Sequence, residues 1–171
     1  MKKYINYIIG AFCVIFLILI DRITKYYAVV NLKGNGEYSL IDGVFSLYYV
    51  ENSGAAFGIL GGKQIFLYIV TIAITVFVIF FYIKLPKTKR FIWLRIISVL
   101  IVSGAIGNLI DRLTQQYVID FFYFKAINFP VFNVADIYVT VGAISLIILL
   151  LFYYKENDFK QIFKQHKTKS D

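Results

Sequence analysis

The sequence predicts an all-α membrane protein of four transmembrane helices, with a small outer β-sheet and a short interfacial helix. Three observations support this fold class. Hydrophobic residues make up 60% of the 171-residue chain and charged residues only 16%, whereas soluble domains carry roughly 25% charged residues. Four apolar stretches approach the roughly 20 residues that cross a bilayer as a helix. Charged residues are concentrated in the short segments between those stretches.

We place the four membrane spans at about 4–24, 64–84, 91–112 and 136–154. Their apolar cores carry no charge except Arg95, near the start of the third span. Each span is predicted to be a helix, because a lone strand would leave its backbone polar groups unsatisfied in lipid. Residues 1–171 are therefore interpreted as a single integral membrane domain.

The first span could instead be a cleaved signal peptide, and two features favour a retained helix. No small-residue cleavage site follows the span, because the chain continues as DRITK over 21–25. A lipidation site needs a small residue before its cysteine, and the large Phe12 precedes Cys13.

The distribution of charge predicts the orientation. Of the 18 Lys and Arg residues, twelve fall on the side that holds the N-terminus, the loop after the second span and the tail 155–171. Seven of the 10 acids fall on the other side. The excess of basic residues predicts that both termini are cytoplasmic and that segments 31–63 and 113–135 are external. The net charge of +8 then reflects the membrane topology and contact of the basic side with the lipid bilayer. No nucleic-acid partner is predicted.

The external segments carry the remaining structural signals. A Gly-Asn-Gly turn at 34–36 precedes two strand-like runs at 38–41 and 44–50, which predict a small hairpin. Residues 55–60 are predicted to form the short interfacial helix. The second external segment is apolar and aromatic around one acid, Asp120, and Pro130 marks an extended turn before the fourth span. The cytoplasmic tail 155–171 is interpreted as a polar anchor, frayed or lying on the lipid surface.

Elimination narrows the chemistry of the external side. The one histidine, His166, lies in the tail, and the one cysteine, Cys13, lies in the first span. Ser–His catalysis, Cys–His catalysis and a His or Cys metal cluster therefore lack their residues there. A Ser–Lys pair stays open, although no spacing favours one combination. Its candidates are Ser39, Ser46 or Ser53 with Lys25, Lys33 or Lys63.

Carboxylates are better supplied, because four acids lie at the external ends of the spans: Asp21, Asp111, Asp120 and Asp136. The first lies beside Arg22 and one helical turn before Lys25, and the second lies beside Arg112. A neighbouring cation favours the charged form of a carboxylate. These two acids are therefore predicted to be structural.

Asp120 and Asp136 have apolar neighbours and no basic residue within four positions. Desolvation disfavours their charged forms, so two such acids brought together would share one proton. One carboxylate could then activate a water while its protonated partner polarises a carbonyl. Simpler roles remain open: Asp136 as a helix N-cap, Asp120 as a turn residue, and Asn108 with Arg112 as a polar cluster at a helix end.

Five segments, in order, resemble motifs of the lipoprotein signal peptidase family, also called signal peptidase II, an aspartic protease family (A8). They are DRITK at 21–25, NSGAAF at 52–57, GAIGNLIDR at 104–112, VIDF at 118–121 and FPVFNVAD at 129–136. Each motif alone is weakly or moderately specific, whereas the ordered series is highly specific. The departures are mild: Ile119 stands where Val is frequent, and Ser103 where Gly is common.

The resemblance implies a function and a set of site residues. Family members cleave signal peptides from diacylglyceryl-modified bacterial prolipoproteins, on the N-terminal side of the lipidated Cys, at the outer leaflet of the cytoplasmic membrane. The catalytic pair would be Asp120 and Asp136. Substrate-binding and supporting positions would be Asn52, Gly54, Asn108, Arg112 and Asn133. Structural polar positions would be Asp21, Lys25 and Asp111.

The resemblance also implies a fold of four transmembrane helices with an outer β-cradle and an interfacial helix. It implies inhibition by globomycin-type cyclic peptides and implies no metal or organic cofactor. The main alternative from the residues themselves is a small ion-coupled transporter or channel that uses the external acids. A second alternative is a non-catalytic scaffold subunit. An ion path needs acids spread through the membrane depth, and here they gather at one face.

Overall fold

A computed structural model describes residues 4–54 and 63–164. Four helices in it are long and apolar enough to cross a membrane. They are α1 (Ile5–Leu32), α2 (Gln64–Lys84), α3 (Ile92–Gln115) and α4 (Val134–Phe152). The predicted fold class is thereby confirmed. The interfacial helix predicted over 55–60 lies outside the described residues.

Helix α3 is the centre of the bundle. In its most apolar 18-residue window 44% of the residues are buried, against 11% in each of the other three helices. The other helices present large apolar side chains outward, as a lipid solvent requires. A Cβ atom on Gly104 would collide with the backbone of Ala135, so this glycine lets α3 and α4 touch. A Cβ on Gly107 would lie 2.7 Å from a carboxylate oxygen of Asp21, so this glycine makes room for that acid.

Helix α1 is longer than the predicted span 4–24. Its 28 residues extend about 42 Å at 1.5 Å per residue, beyond the roughly 30 Å hydrocarbon core. The last two turns are fixed by packing, since Ala28 and Leu32 are buried against Ile119 and Phe121. The hydropathy of the sequence predicts that the span ends near residue 24, whereas the helix continues to Leu32 because of these tertiary contacts.

The sheet has three antiparallel strands in the order β1 (Tyr38–Ile41), β2 (Phe45–Asn52) and β3 (Val118–Phe124). The predicted hairpin forms β1 and β2, and Gly43 in its turn has a φ of +71°. The sequence did not predict β3 as a strand. Residues 118–121 are all buried, so the strand lacks the alternation of polar and apolar residues that marks a half-buried strand.

The opposite end of the bundle is closed by a fifth helix, α5 (Glu156–Lys164). Its Ile162 is 3% exposed and packs with Leu85, Phe91 and Leu94. Asp158 forms an ion pair with Arg90, N to O 2.9 Å. The first part of the tail is therefore an amphipathic helix docked on the bundle, which the interpretation as a polar anchor did not predict.

Candidate active site

The pairing of β2 with β3 sets Asp120 beside Asn52. Asp120 lies opposite Val50 and Asn52 opposite Val118, so both polar side chains project from the same face of the sheet as diagonal neighbours. Asn52 Nδ2 donates to Asp120 Oδ2 at 2.9 Å. Its Oδ1 accepts from the backbone N–H of Gly54 at 2.9 Å. The amide of Asn52 is thereby oriented, with its donor toward the acid.

Asp136 lies in the first turn of α4, where it forms a capping box with Asn133. The N-cap residue is Asn133, whose Oδ1 accepts from Asp136 N at 3.0 Å. Asp136 Oδ2 accepts in return from Asn133 N at 3.1 Å. Asp136 Oδ1 accepts from Asn108 Nδ2 at 2.8 Å. Asn133, and not Asp136 as considered from the sequence, is therefore the N-cap, and Asp136 at the third helical position keeps one carboxylate oxygen directed to α3.

Asn133 joins the two candidate acids. Its Nδ2 donates to Asp120 Oδ1 at 2.7 Å, while its backbone N–H holds Asp136. The same Nδ2 donates to Asn108 Oδ1 at 3.1 Å. Asn133 is fully buried. Two acids sixteen positions apart therefore accept hydrogen bonds from one residue, Asp120 from its side chain and Asp136 from its backbone. Asp120 lies in a strand rather than in a turn, and its hydrogen bonds to described residues come from the amides of Asn52 and Asn133.

Burial dominates the electrostatics of Asp120, which is 2% exposed. Desolvation raises the pKa of its carboxyl to about 7, and the nearby charge of Asp136 contributes in the same direction. Hydrogen bonds from Asn52 and Asn133 act in the opposite sense but do not overcome desolvation. A substantial fraction of Asp120 therefore holds its proton near neutral pH.

An ionic cluster lies behind this site and consists of Asp21, Arg22, Lys25 and Asp111; the side chain of Arg22 is 37% exposed and the other three are fully buried. Lys25 Nζ is 2.8 Å from Asp111 Oδ2. It is also 2.9 Å from Asp21 Oδ2, which makes a second ion pair. Arg22 pairs with Asp111 Oδ1. Two acids and two bases make the cluster formally neutral, which a buried ionic group needs.

The sequence associated Asp111 with the adjacent Arg112, and the structure differs. Successive residues on a helix point in different directions, so adjacent residues do not face each other. Arg112 Nη2 donates to the carbonyl of Gly54 at 2.9 Å, and Nη1 to the carbonyl of Asn108 at 3.4 Å. Arg112 thus faces the candidate site, and Arg22 is the partner that the sequence analysis overlooked.

The ionic cluster is tied to both candidate acids through the backbone. Asp21 Oδ1 accepts from the N–H of Ala135, the residue before Asp136, at 3.1 Å. Asp111 Oδ2 accepts from the N–H of Ile119, the residue before Asp120, at 3.4 Å. A third connection runs through a side chain, since Lys25 Nζ donates to Asn108 Oδ1 at 2.9 Å. These hydrogen bonds join residues that are far apart in the sequence, so no local sequence pattern predicts them.

A cavity of about 580 Å³ opens onto the acids between α2, α3 and α4. Its polar lining includes Asp120, Asp136, Asn52, Asn108 and Arg112. The rest of the lining is mostly apolar and includes Ile74 of α2 and Val141 of α4, together with residues 129–132. An apolar cavity with a few converging polar groups is typical of a binding site. Over residues 4–54 and 63–164, no group of three or more His, Cys, Asp or Glu is placed to hold a metal ion.

Several known proteins are similar to this chain in sequence and in fold. The family described as Signal peptidase (SPase) II matches residues 13–152. A lipoprotein signal peptidase of Clostridium novyi (strain NT) is 48% identical over 141 residues, which cover 81% of this chain and 94% of the relative. One from Streptococcus pyogenes serotype M5 (strain Manfredo) is 39% identical over 145 residues, covering 85% and 92%.

Two solved structures are also similar, and both are described as bacterial membrane enzyme structures obtained by the in meso method. The first, at 2.3 Å resolution, has a TM-score of 0.75 and 33% identity, and the alignment covers 83% of this chain and 87% of that one. The second, at 1.9 Å, has a TM-score of 0.73 and 32% identity, covering 85% and 94%. Neither result supports a transporter or channel. The chain belongs to the signal peptidase II family of aspartic peptidases.

Proposed function

We propose that the chain removes signal peptides from diacylglyceryl-modified bacterial prolipoproteins, on the N-terminal side of the lipidated Cys, with Asp120 and Asp136 as the catalytic pair. One observation carries the assignment of the pair. Both acids are held by Asn133, and among the described residues their hydrogen-bond donors are asparagine amides and one backbone N–H group. Such donors position a carboxylate without adding the positive charge that would keep both acids ionised.

The two acids take different roles in the proposed reaction. Asp120 is the more buried acid, and its pKa is raised to about 7, so it supplies the protonated carboxyl. Asp136 is half-buried, lines the cavity and accepts hydrogen bonds from Asn108 Nδ2 and the backbone N–H of Asn133. It serves as the general base.

The steps balance in protons. Asp136 takes a proton from a water while the water oxygen attacks the scissile carbonyl carbon. Asp120 gives its proton to the carbonyl oxygen, which forms a neutral tetrahedral intermediate. On collapse, Asp136 passes its proton to the departing amine nitrogen and Asp120 recovers a proton from the hydroxyl, so both acids return to their starting forms.

The substrate chemistry fits the cavity. A signal peptide is an apolar helix, and the cavity between α2 and α4 is lined mostly by apolar residues with the polar groups at the acids. Arg112 is directed toward this space and holds the carbonyl of Gly54, so it can contribute to binding the substrate backbone. The same cavity is the proposed site for globomycin-type inhibitors.

The proposed setting is the bacterial cytoplasmic membrane, with both termini cytoplasmic and the acids at the outer leaflet. The bias of Lys and Arg toward one side supports this orientation. The acids also lie near the C-terminal end of α3 and the N-terminal end of α4, which meet on the less basic side. A lipid-modified substrate would reach them there without leaving the bilayer.

Cleavage of a diacylated lipobox peptide by the purified protein tests the proposal. Asp120→Asn and Asp136→Asn should each lower the cleavage rate by about 10²–10⁴-fold, the usual contribution of a general acid or base. Asp42→Asn, the same change at an exposed acid in the β1–β2 turn, should retain the wild-type rate. A wild-type rate in either site variant would contradict the pair. Globomycin should inhibit cleavage of the diacylated peptide by the wild-type protein and by Asp42→Asn alike. Such inhibition would support the proposed substrate class.

A further inference from the structure

The ammonium group of Lys25 lies at the junction between the ionic cluster and the candidate site. Its side chain is fully buried, so a substrate in the cavity does not reach it. Three oxygens lie within hydrogen-bonding distance of Nζ: Asp111 Oδ2 at 2.8 Å, Asp21 Oδ2 at 2.9 Å and Asn108 Oδ1 at 2.9 Å. Two of these oxygens belong to acids of the cluster, and the third belongs to a neutral amide that lines the cavity.

The contact with Lys25 determines which way the amide of Asn108 faces. An amide carries an acceptor oxygen and a donor nitrogen of similar size, whereas an ammonium group carries donors only. With Oδ1 toward Lys25, Asn108 Nδ2 donates to Asp136 Oδ1 at 2.8 Å. A half-turn of the amide would place its N–H groups against the ammonium group and its oxygen against the carboxylate. Both contacts would be repulsive, so Lys25 and Asp136 together select one orientation.

The oxygen of Asn108 also accepts a hydrogen bond from the residue that holds both acids. Asn133 Nδ2 donates to Asn108 Oδ1 at 3.1 Å and to Asp120 Oδ1 at 2.7 Å. After a half-turn of the Asn108 amide, Asn133 Nδ2 would face another donor. The orientation of Asn108 therefore affects Asp136 directly and Asp120 through Asn133.

The charge of Lys25 adds to this geometric effect. A hydrogen bond from a charged donor is stronger than one from a neutral donor. Asn108 is only 9% exposed, and in such a setting successive hydrogen bonds polarise one another. The bond from Lys25 to Oδ1 therefore strengthens the bond that Nδ2 donates to Asp136. A neutral side chain of the same length would fill the space without holding the amide.

We propose that Lys25 is a positioning residue of the peptidase, which holds the amide of Asn108 in the orientation that directs a donor to Asp136. This inference rests on the proposed catalytic pair and deepens it. The same ammonium group also balances the charges of Asp21 and Asp111, so Lys25 serves the ionic cluster and the site at once. Its effect on the reaction passes through Asn108, because Lys25 itself does not touch substrate.

A double-mutant cycle between Lys25 and Asn108 tests the proposal in the full chain. It is made in an Asp21→Asn background, where Lys25→Met leaves the neutral pair of Arg22 and Asp111, and is repeated in the wild-type background. Lys25→Met should lower kcat for a diacylated lipobox peptide by about tenfold, through misplacement of a catalytic group. When Asn108→Ala is already present, the same change should lower kcat by about twofold or less, because the amide through which Lys25 acts is gone.

A purely structural role of Lys25 predicts a different result. Lys25→Met would then lower kcat by the same factor with and without Asn108→Ala, and that outcome, or an unchanged kcat in Lys25→Met, would overturn the proposal. The matched control is Arg90→Met with Asp158→Asn, which removes another ion pair, N to O 2.9 Å, at the opposite end of the bundle. Any effect of this control on kcat should be independent of Asn108→Ala.

Asp136→Asn separates failure of this proposal from failure of the proposed function. A wild-type cleavage rate in Asp136→Asn would contradict the catalytic pair itself. Loss of cleavage in Asp136→Asn, together with equal effects of Lys25→Met in both arms of the cycle, would retain the pair and reject only the positioning role of Lys25.

Discussion

Two pairs of carboxylates lie close together in this protein and are held by different partners. Asp21 and Asp111 are bound by the cations Lys25 and Arg22. Asp120 and Asp136 are bound instead by neutral donors, chiefly the amides of three asparagines. A neighbouring cation strongly favours the charged form of a carboxylate, whereas a neutral amide donor favours that form more weakly. The chemical nature of the partner therefore distinguishes a pair suited to holding structure from a pair suited to moving protons.

The comparison is broken most severely by removing one acid from the structural pair. Asp111→Asn leaves Lys25 and Arg22 with a single buried acid. We expect the free energy of unfolding to fall by about 3–5 kcal/mol, as when one partner of a buried ion pair is lost. Denaturation of the detergent-solubilised protein measures this loss. Wild-type stability would mean that the cluster does not depend on charge balance.

Removing an amide donor tests the proposed catalytic pair. Asn108→Ala deletes the donor to Asp136 Oδ1 and the acceptor of Lys25. We expect kcat/KM for a diacylated peptide to fall by about 10²-fold, the effect of a small misplacement of a catalytic group. Asn31→Ala, at the exposed end of α1, is the matched control. A fall of the same size in the control would assign the loss to general destabilisation.

The pH dependence sharpens the comparison. Because the pKa of Asp120 is raised to about 7, the rate should decline as pH rises through 7, by about tenfold between pH 6 and pH 8. Stability follows the same sign: a carboxyl whose pKa is higher in the folded state favours folding at low pH. That contribution is lost as pH rises from about 4 to 7. Cleavage rates measured across pH 5–9 check the predicted decline in rate. A rate that does not change over that range would contradict it.

The smallest effect is expected at an exposed ion pair. Lys33 and Glu51 are 2.7 Å apart, with side chains 53% and 39% exposed. Solvent screens such pairs, so Glu51→Gln should leave the melting temperature unchanged within error. A clear drop would show that the C-terminal end of α1 depends on this contact.

The membrane spans could be predicted from the sequence because lipid imposes a composition on any segment that crosses it. The same logic failed for β3, whose buried residues 118–121 look like any short apolar run. It also ended α1 too early, since the turns at Ala28 and Leu32 depend on contacts with β3. Elements that depend on the surrounding lipid can be predicted from the local sequence. Elements that depend on contacts with distant residues cannot.

The candidate site divides in the same way. The spacing of Asn133 and Asp136 is that of a capping box, so their contact could have been read from the sequence. Asp111 was associated with its neighbour Arg112, but helix geometry directs it to Arg22 and Lys25, nearly ninety positions away. The hydrogen bonds from Ala135 to Asp21 and from Ile119 to Asp111 likewise depend on the assembled bundle.

Asn133 has every polar atom committed at once. Its backbone N–H and its Oδ1 close the start of α4, while its Nδ2 serves Asp120 and Asn108. Serine or aspartate in its place could still begin the helix, but neither offers the two amide hydrogens of asparagine. The chain would then keep its architecture and lose the link that sets one carboxyl against the other, so an intact fold would be no guarantee of a working peptidase.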